Sequence, residues 1–440
     1  MVEQNKTLVA SLAAPVMLFF AIGVMGFVFS RMNVNLQPML AVIIAMTPIW
    51  LPFALFHILF EQWQYAARSK WIYDNGRVTL RIKLPQEVLK SPEAMESVMT
   101  QIHNPSSADN LMQTYFDGRH PLNNSFELAS VNGEVRFYIN VPRKKVKNAV
   151  EAQLYAQYPG IEVIEEKIDY AAEIKWDPKK LDMISFHFVK KDDDALPIKT
   201  YIDYGLDKIP DEENKFEPMS PMLEHIGKAK PTERIWIQFI CKPHVKKSLK
   251  TGDLYTVDSW EKRVQKKVDE LMGRDNNGLG PEETDNRPML TMSERDTIAA
   301  VERNVSKYAY EVAVRAMYIA ENGKFDPEMI SPILRSFAQY DMIGRNRIGI
   351  TWRTDFNYNF FQDFSGRRKL YWKKKELEAY KARSYLPGDV KTFADKMKVM
   401  SVEELATMYH IPGTSVITPA ISRVDSVRKE APSNLPTGLF

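Results

Sequence analysis

Residues 125–142 read SFELASVNGEVRFYINVP. Two runs of alternating character flank Asn132 and Gly133. Asparagine and glycine accept positive φ, so this pair predicts a tight hairpin turn. In the second arm Val135, Phe137, Ile139 and Val141 alternate along one face. Upstream, RVTLRIKLP (77–85) puts Val78, Leu80, Ile82 and Leu84 on one side, with Thr79, Arg81 and Lys83 on the other. That is the pattern of a half-buried strand. Between the two lies SPEAMESVMTQIH (91–103), with Ser91 as a cap, Pro92 at the first helical position, and Met95, Val98, Met99 and Ile102 at helical spacing. Downstream, RKKVKNAVEAQLYAQYP (143–159) carries Val146, Val150, Leu154 and Tyr158 on one stripe, and IEVIEEKIDY (161–170) closes as a strand. The order β-α-β-β-α-β is the split βαβ pattern of a ferredoxin-like module, here placed within 63–175.

A second α+β set is expected over 176–360. Its strands are DMISFHFV (182–189), RIWIQFICKP (234–243), YEVAVRAMYIAE (310–321) and RIGITWRT (347–354). Helices are expected at 258–272, from about Ser293, and over DPEMISPILRSFAQYDM (326–342). SPEAMESVM and DPEMISPIL each follow a strand with a cap, a proline and a glutamate, which suggests a duplication. Cap chemistry alone accounts for the same likeness.

Hydrophobicity concentrates at the N-terminus. No Asp, Glu, Lys or Arg stands between Lys6 and Arg31, and none between Arg31 and Glu61. A membrane-spanning helix needs roughly 20 apolar residues. Both stretches are long enough, and the first exceeds a typical signal-peptide core. The short connector RMNVNLQ makes 1–62 a two-helix transmembrane hairpin. Lys6 on one flank and Arg68 and Lys70 on the other outweigh Arg31, so the positive-inside bias places both chain ends in the cytoplasm. The expected location is therefore the cytoplasmic (inner) membrane, crossed twice. Pro38, Pro48 and Pro52 are expected to kink the second span.

The 440-residue chain holds 59 basic and 56 acidic residues, for a net charge of +3. Bulk charge therefore argues neither for a nucleic-acid coat nor for an acidic tail. Cys241 is the sole cysteine, which excludes an internal disulfide. The sequence has no GxxxxGK[ST], HExxH, CxxC or GxSxG motif. Cys241 and His244 form a lone CxxH, too few ligands for zinc. Asp192, Asp193 and Asp194 read as a solvated acidic loop. The expectation is no catalytic residue, no cofactor and no metal. An enzyme site assembled only by folding, from His187, Asp192 and His244 around a metal, is the alternative.

Two segments offer binding chemistry. The first is basic and aromatic, within 361–411: Arg367, Arg368, Lys369, Trp372, Lys373, Lys374 and Lys375 suit an anionic membrane surface or nucleic acid. An ordinary helix with a charged outer face fits the same spacing. The second is the proline-containing extended tail, 412–440, with VEELATMYHIPG before it. Tyr409, His410, Pro412, Pro419, Pro432 and Pro436 are the expected partner-docking residues, because proline lowers the entropy cost of docking an extended chain.

EAQLYAQYP (151–159), ERIWIQFICKP (233–243), ELEAYKARSYL (376–386), VEELATMYHIPG (402–413) and APSNLP (431–436) resemble phrases in a poorly characterised family of membrane-anchored bacterial proteins associated with conjugation-type secretion ATPases. The closing phrase also resembles the segment preceding the motor core in some type IV secretion and HerA-like ATPases. The resemblance implies a scaffold that docks a separate secretion-type ATPase in trans, and a homo-oligomer is compatible with it. The missing Walker loop means that ATPase activity is not carried over. A nucleic-acid partner bound by 366–384 is the second functional expectation.

Overall fold

The computed structural model describes residues 37–85, 90–105, 108–144, 146–208, 216–246, 248–251, 259–273, 290–355, 366–384 and 397–413, together with Ile421 and Arg423. Asn132 and Gly133 adopt φ of 56° and 82°, so the expected turn joins β2 (Asn124–Val131) to β3 (Glu134–Pro142). β1 (Arg77–Lys83) and β4 (Glu162–Glu165) complete the first set. β5 (Leu181–Lys190), β6 (Glu233–Pro243), β7 (Ala309–Glu321) and β8 (Ile348–Arg353) form the second. β9 (Lys398–Ser401) pairs with the start of β7.

All of these strands belong to one antiparallel sheet of order β4-β1-β3-β2-β6-β7-β5-β8. The order is palindromic. Counted from its own edge, each half runs fourth, first, third, second strand. The halves meet through their second strands, β2 and β6, in register from Asn124↔Cys241 to Ala129↔Trp236. The two α+β sets therefore share a continuous sheet. β1 leads to β2 through α2 (Glu93–Gln101) and α3 (Leu111–Tyr115), after α1 at the N-terminus, and β3 leads to β4 through α4 (Lys147–Gln157). In the second half, α5 (Ser220–Gly227) and α8 (Ile330–Arg335) occupy the matching crossovers. α6 (Trp260–Leu271) and α7 (Met292–Val305) lie between β6 and β7, where the first half has its tight turn.

This topology corrects two expectations. SPEAMESVM lies in the first crossover of its half, whereas DPEMISPIL lies in the second, so their likeness does not align the repeat; the strand order does. The single helix expected over 326–342 is broken into a 3₁₀ turn (Pro327–Met329), α8 and another 3₁₀ turn (Ala338–Tyr340). Pro332 has no N–H with which to carry a helical bond across that junction. Ser91 is likewise not the cap: Pro92 holds the N-cap position, with no side-chain hydrogen bond, and α2 begins at Glu93.

The two faces of the sheet differ in chemistry. One face presents Leu80, Phe126, Phe137, Ile139, Ile237, Phe239 and Val314 to the crossover helices in the main core. Each large side chain buried there contributes about 1.5–3 kcal/mol. Across the other face runs a register-matched row: Arg81, Tyr138, Glu127, Gln238, Arg315, His187 and Trp352. α9 (Arg367–Lys381) covers this row. Its Glu376 lies 2.7 Å from Arg315 Nε and 2.5 Å from His187 Nε2. Just beyond α9, Arg383 grips Glu127 with Nε at 3.0 Å and Nη2 at 3.1 Å, and also pairs with Asp169. Arg383 adopts left-handed φ (52°), a conformation that costs a bulky residue on the order of 1 kcal/mol. Those ion pairs hold it there.

α10 (Val402–Met408) closes the opposite face. Ser401 and Glu404 form a reciprocal capping box. Tyr409 then places its ring 5.2 Å from Phe126, 6.0 Å from Phe137 and 6.2 Å from Phe239, across the β2–β6 seam. Beyond it, Ile421 and Arg423 bridge to Val135 and Leu84, so this part of the tail returns to the first half.

α1 (Gln37–Asn75) is continuous over 39 residues, with Pro48 and Pro52 inside it. At 1.5 Å per residue it measures about 58 Å, roughly twice a hydrocarbon core. Residues 37–60 carry no formal charge, and Ile44, Phe53, Phe56 and Leu59 stand exposed. From Trp63 onward the helix docks on the sheet domain. Trp63 donates to the Tyr115 carbonyl at 2.6 Å, and Ala67 presses on Gly118. A Cβ at Gly118 would lie 2.3 Å from the Ala67 carbonyl carbon, so only glycine permits this approach. Among the described residues one helix is thus apolar enough to cross a membrane; the first expected span and residues 31–36 of the connector lie outside them.

Replacing Arg383 with Met would strand the Glu127 carboxylate in the sheet. Denaturant titration should show a loss of about 3–5 kcal/mol, the range for breaking one side of a buried pair. Adding Glu127→Gln should recover part of that loss.

Candidate functional site

A cleft of about 660 Å³ opens where α1 leaves the apolar stretch and meets the end of the sheet. Its helical wall is the stripe His57, Glu61, Gln64, Arg68 and Ile72. The spacings of four and three positions put these side chains on one face. Opposite stand Arg77 of β1, His120 and Asn123 of the loop before β2, Lys242 of β6, and Arg383. Among the described residues, Arg68, Arg77, Lys242 and Arg383 thus line the cleft with a single carboxylate, Glu61, which lies 3.8 Å from His57.

Hydrogen bonds fix the sheet-side wall. Arg77 Nη1 donates to Asn123 Oδ1 at 2.8 Å and Nε to Asn140 Oδ1 at 2.6 Å. Asn123 Nδ2 donates to the Arg383 carbonyl at 2.6 Å. Every hydrogen-bond acceptor of Arg77 among the described residues is neutral. Desolvation, and then repulsion from Arg383, lower the Arg77 pKa to about 10. Arg383 is matched by Glu127 and Asp169, and Lys242 lies 3.5 Å from Glu311. Burial lowers the His120 pKa to about 4, so its ring is neutral; Nδ1 donates to the Gly118 carbonyl. Gln64 is 5% exposed, and neither atom of its amide has a hydrogen-bond partner among the described residues. Buried amides are normally satisfied. The arrangement can hold a compact anion.

Sequence reasoning missed this cleft, whose residues come from five separate segments. The stripe 57-61-64-68-72 was its local signal, since it continues the second span as a helix. Arg68 was read instead as a flanking charge.

The expected docking residues lie elsewhere. Tyr409 and His410 are each 1% exposed, and Pro412 is also buried. Their side chains pack inside this chain. The phrase carries enough apolar and hydrogen-bonding groups to be core. Pro419, Pro432 and Pro436 lie outside the described residues. In the basic segment Trp372 is buried, with its ring 6.0 Å from that of Trp352, so it offers no stacking surface. Lys373 pairs with Asp182 at 2.6 Å, Lys375 with Glu378 at 3.3 Å, and Lys369 with Asp355. Lys374 lies 3.9 Å from Glu378, and Arg367 and Arg368 are exposed at the start of α9.

His187, Asp192 and His244 are not brought together. They face Glu376, Arg347 and Glu311 respectively. Among the described residues no group of three or more His, Cys, Asp or Glu side chains is arranged to hold a metal ion. Cys241 is buried in the main core, where desolvation raises its thiol pKa.

His410 has a structural electrostatic role. Nδ1 faces the Ala406 carbonyl at 2.8 Å, and Nε2 faces Glu217 Oε1 at 2.8 Å. Both partners are acceptors, so both ring nitrogens donate and the ring is an imidazolium. Burial opposes that charge, but Glu217 and the backbone carbonyl overcome it and raise the pKa. Glu403 is similarly held ionised against burial by Arg303, Thr200 and Lys307. Glu404 meets Lys190 Nζ at 2.9 Å inside the protein.

The profile of one protein family, a domain of unknown function designated DUF8128, matches residues 70–424. No curated protein matches the chain. The matched region begins inside the docked half of α1 and takes in the whole sheet.

Because the folded pKa of His410 is raised, its ion pair stabilises fully below the unfolded value of about 6.5 and is lost as pH rises through the folded value. His410→Gln should cost about 3 kcal/mol at pH 6. In thermal unfolding of the full chain, the gap between variant and parent should narrow as pH rises.

Proposed function

We propose that this chain, which belongs to the DUF8128 family, is a membrane-anchored scaffold without an active site of its own. The carrying observation is α1. Its first part, 37–60, is uncharged, with large apolar side chains exposed, while its second part is docked on the sheet through Trp63, Ala67 and Gly118. A soluble protein rarely leaves so much contiguous apolar surface uncovered, and lipid is its natural cover. In this reading the uncharged stretch between Lys6 and Arg31 supplies a second span, completing a two-pass hairpin in the cytoplasmic membrane. Positive flanking charge favours a cytoplasmic sheet domain. Each half of the sheet is read as a ferredoxin-like module, the pair arising by duplication; the palindromic strand order supports this.

The partner is a motor ATPase of a secretion or DNA-transfer machine, supplied in trans. The resemblance of the sequence phrases supports that choice, and tethering at the bilayer would raise the local concentration of such a partner. With Tyr409, His410 and Pro412 packed inside, the contacts fall to the outer surfaces of the sheet domain.

The full chain should stay with membranes through alkaline extraction and leave them only in detergent. An ATPase should co-purify from those detergent extracts. Recovery in the soluble fraction would contradict the anchor, and extracts free of any motor ATPase would contradict the partner.

A further inference from the structure

The cationic cleft between α1 and the sheet end has no role in the scaffold reading, yet it is a built pocket. Gln64 brings an unpartnered amide that is 5% exposed. Arg77 brings a guanidinium whose hydrogen bonds all go to neutral acceptors. Arg383 is held in a left-handed conformation at the same wall. Strained backbone maintained by surrounding ion pairs is a recurrent mark of a binding site. A ligand that accepts hydrogen bonds from an amide and from guanidinium groups, carries negative charge and fits a compact space is a phosphate group.

We propose that this cleft binds a phosphate group, with Gln64, Arg68 and Arg77 as its contacts. The placement suits the phosphate of an anionic phospholipid. The apolar part of α1 ends at Phe60; Gln64 stands about 6 Å farther along the helix axis, at headgroup depth, and Arg68 about 12 Å, on the water side of that layer. The headgroup layer extends roughly 5–8 Å beyond the hydrocarbon core on each side. The lipid source rests on the membrane reading above; the phosphate chemistry does not. Glu61 stands at the cleft 3.8 Å from His57, where its charge opposes an anion and limits affinity for phosphate that is not held by a lipid anchor.

The test uses the full chain purified in detergent. Its thermal unfolding is followed with added phosphatidylglycerol, with phosphatidylcholine, and with inorganic phosphate against chloride at matched ionic strength. Phosphatidylglycerol should raise the melting temperature and be retained in native mass spectra. Gln64→Leu, which keeps charge and fills the pocket, and Arg68→Gln should each weaken retention about tenfold. If inorganic phosphate alone stabilises, with the same sensitivity to both variants, the site stands and its source is soluble phosphate. If neither phosphate nor phosphatidylglycerol shifts the folded parent, or both variants bind as tightly as the parent, the proposal is overturned. The inorganic-phosphate arm needs no bilayer, so a chain that fails alkaline extraction still reports on the cleft.

Discussion

Among the described residues, the buried carboxylates of Glu127, Glu376, Glu403 and Glu404 are each met by a basic side chain from a different segment: Arg383, Arg315, Arg303 with Lys307, and Lys190. An isolated carboxylate in a protein interior costs several kcal/mol, so none of these segments can leave alone. The partners lie on both faces of the sheet. α9 and Arg383 satisfy the polar row on one face, and α10 brings Glu403 and Glu404 to the other. The segments from α9 onward therefore close both faces of a sheet whose two halves pair along β2 and β6. Tyr409 sits over that seam, against Phe126 and Phe239.

That arrangement explains which features the sequence discloses. Local chemistry was legible: Asn132–Gly133 made the turn, Val146, Val150, Leu154 and Tyr158 made a buried stripe, and Val78 to Leu84 made a core-facing strand. Nonlocal chemistry was not. Glu376, Glu403 and Glu404 look like surface residues in a sequence, because their partners sit in distant segments: Arg315 and His187 for the first, Arg303 and Lys307 for the second, Lys190 for the third. Burial of Glu376 turned a basic segment from a surface into a lid, and burial of Glu403 and Glu404 turned an expected docking segment into a core element. The merging of two modules into one sheet depends on strand order, which periodicity does not encode. The cleft was equally hidden, since Arg77, Lys242 and Arg383 converge only after the sheet forms.

The same physics ties the apolar part of α1 to the fold. α1 is one rod, apolar over 37–60 and fastened to the sheet domain through its last turns. The contact at Gly118 leaves no room for a side chain, and Trp63 and Arg68 add hydrogen bonds to the Tyr115 and Thr251 carbonyls. A segment joined through a rigid helix fixes how the sheet domain is turned relative to it, whereas a flexible linker would let the domain tumble.

The most direct test of the closure is hydrogen exchange on the full chain in detergent, resolved to 124–129, 235–241 and 402–409. If α10 and Tyr409 lock the seam, amides in all three stretches exchange at a common slow rate set by global unfolding. If 402–409 exchanges orders of magnitude faster while β2 and β6 stay protected, the C-terminal segment is an appendage and the account of the fold is wrong.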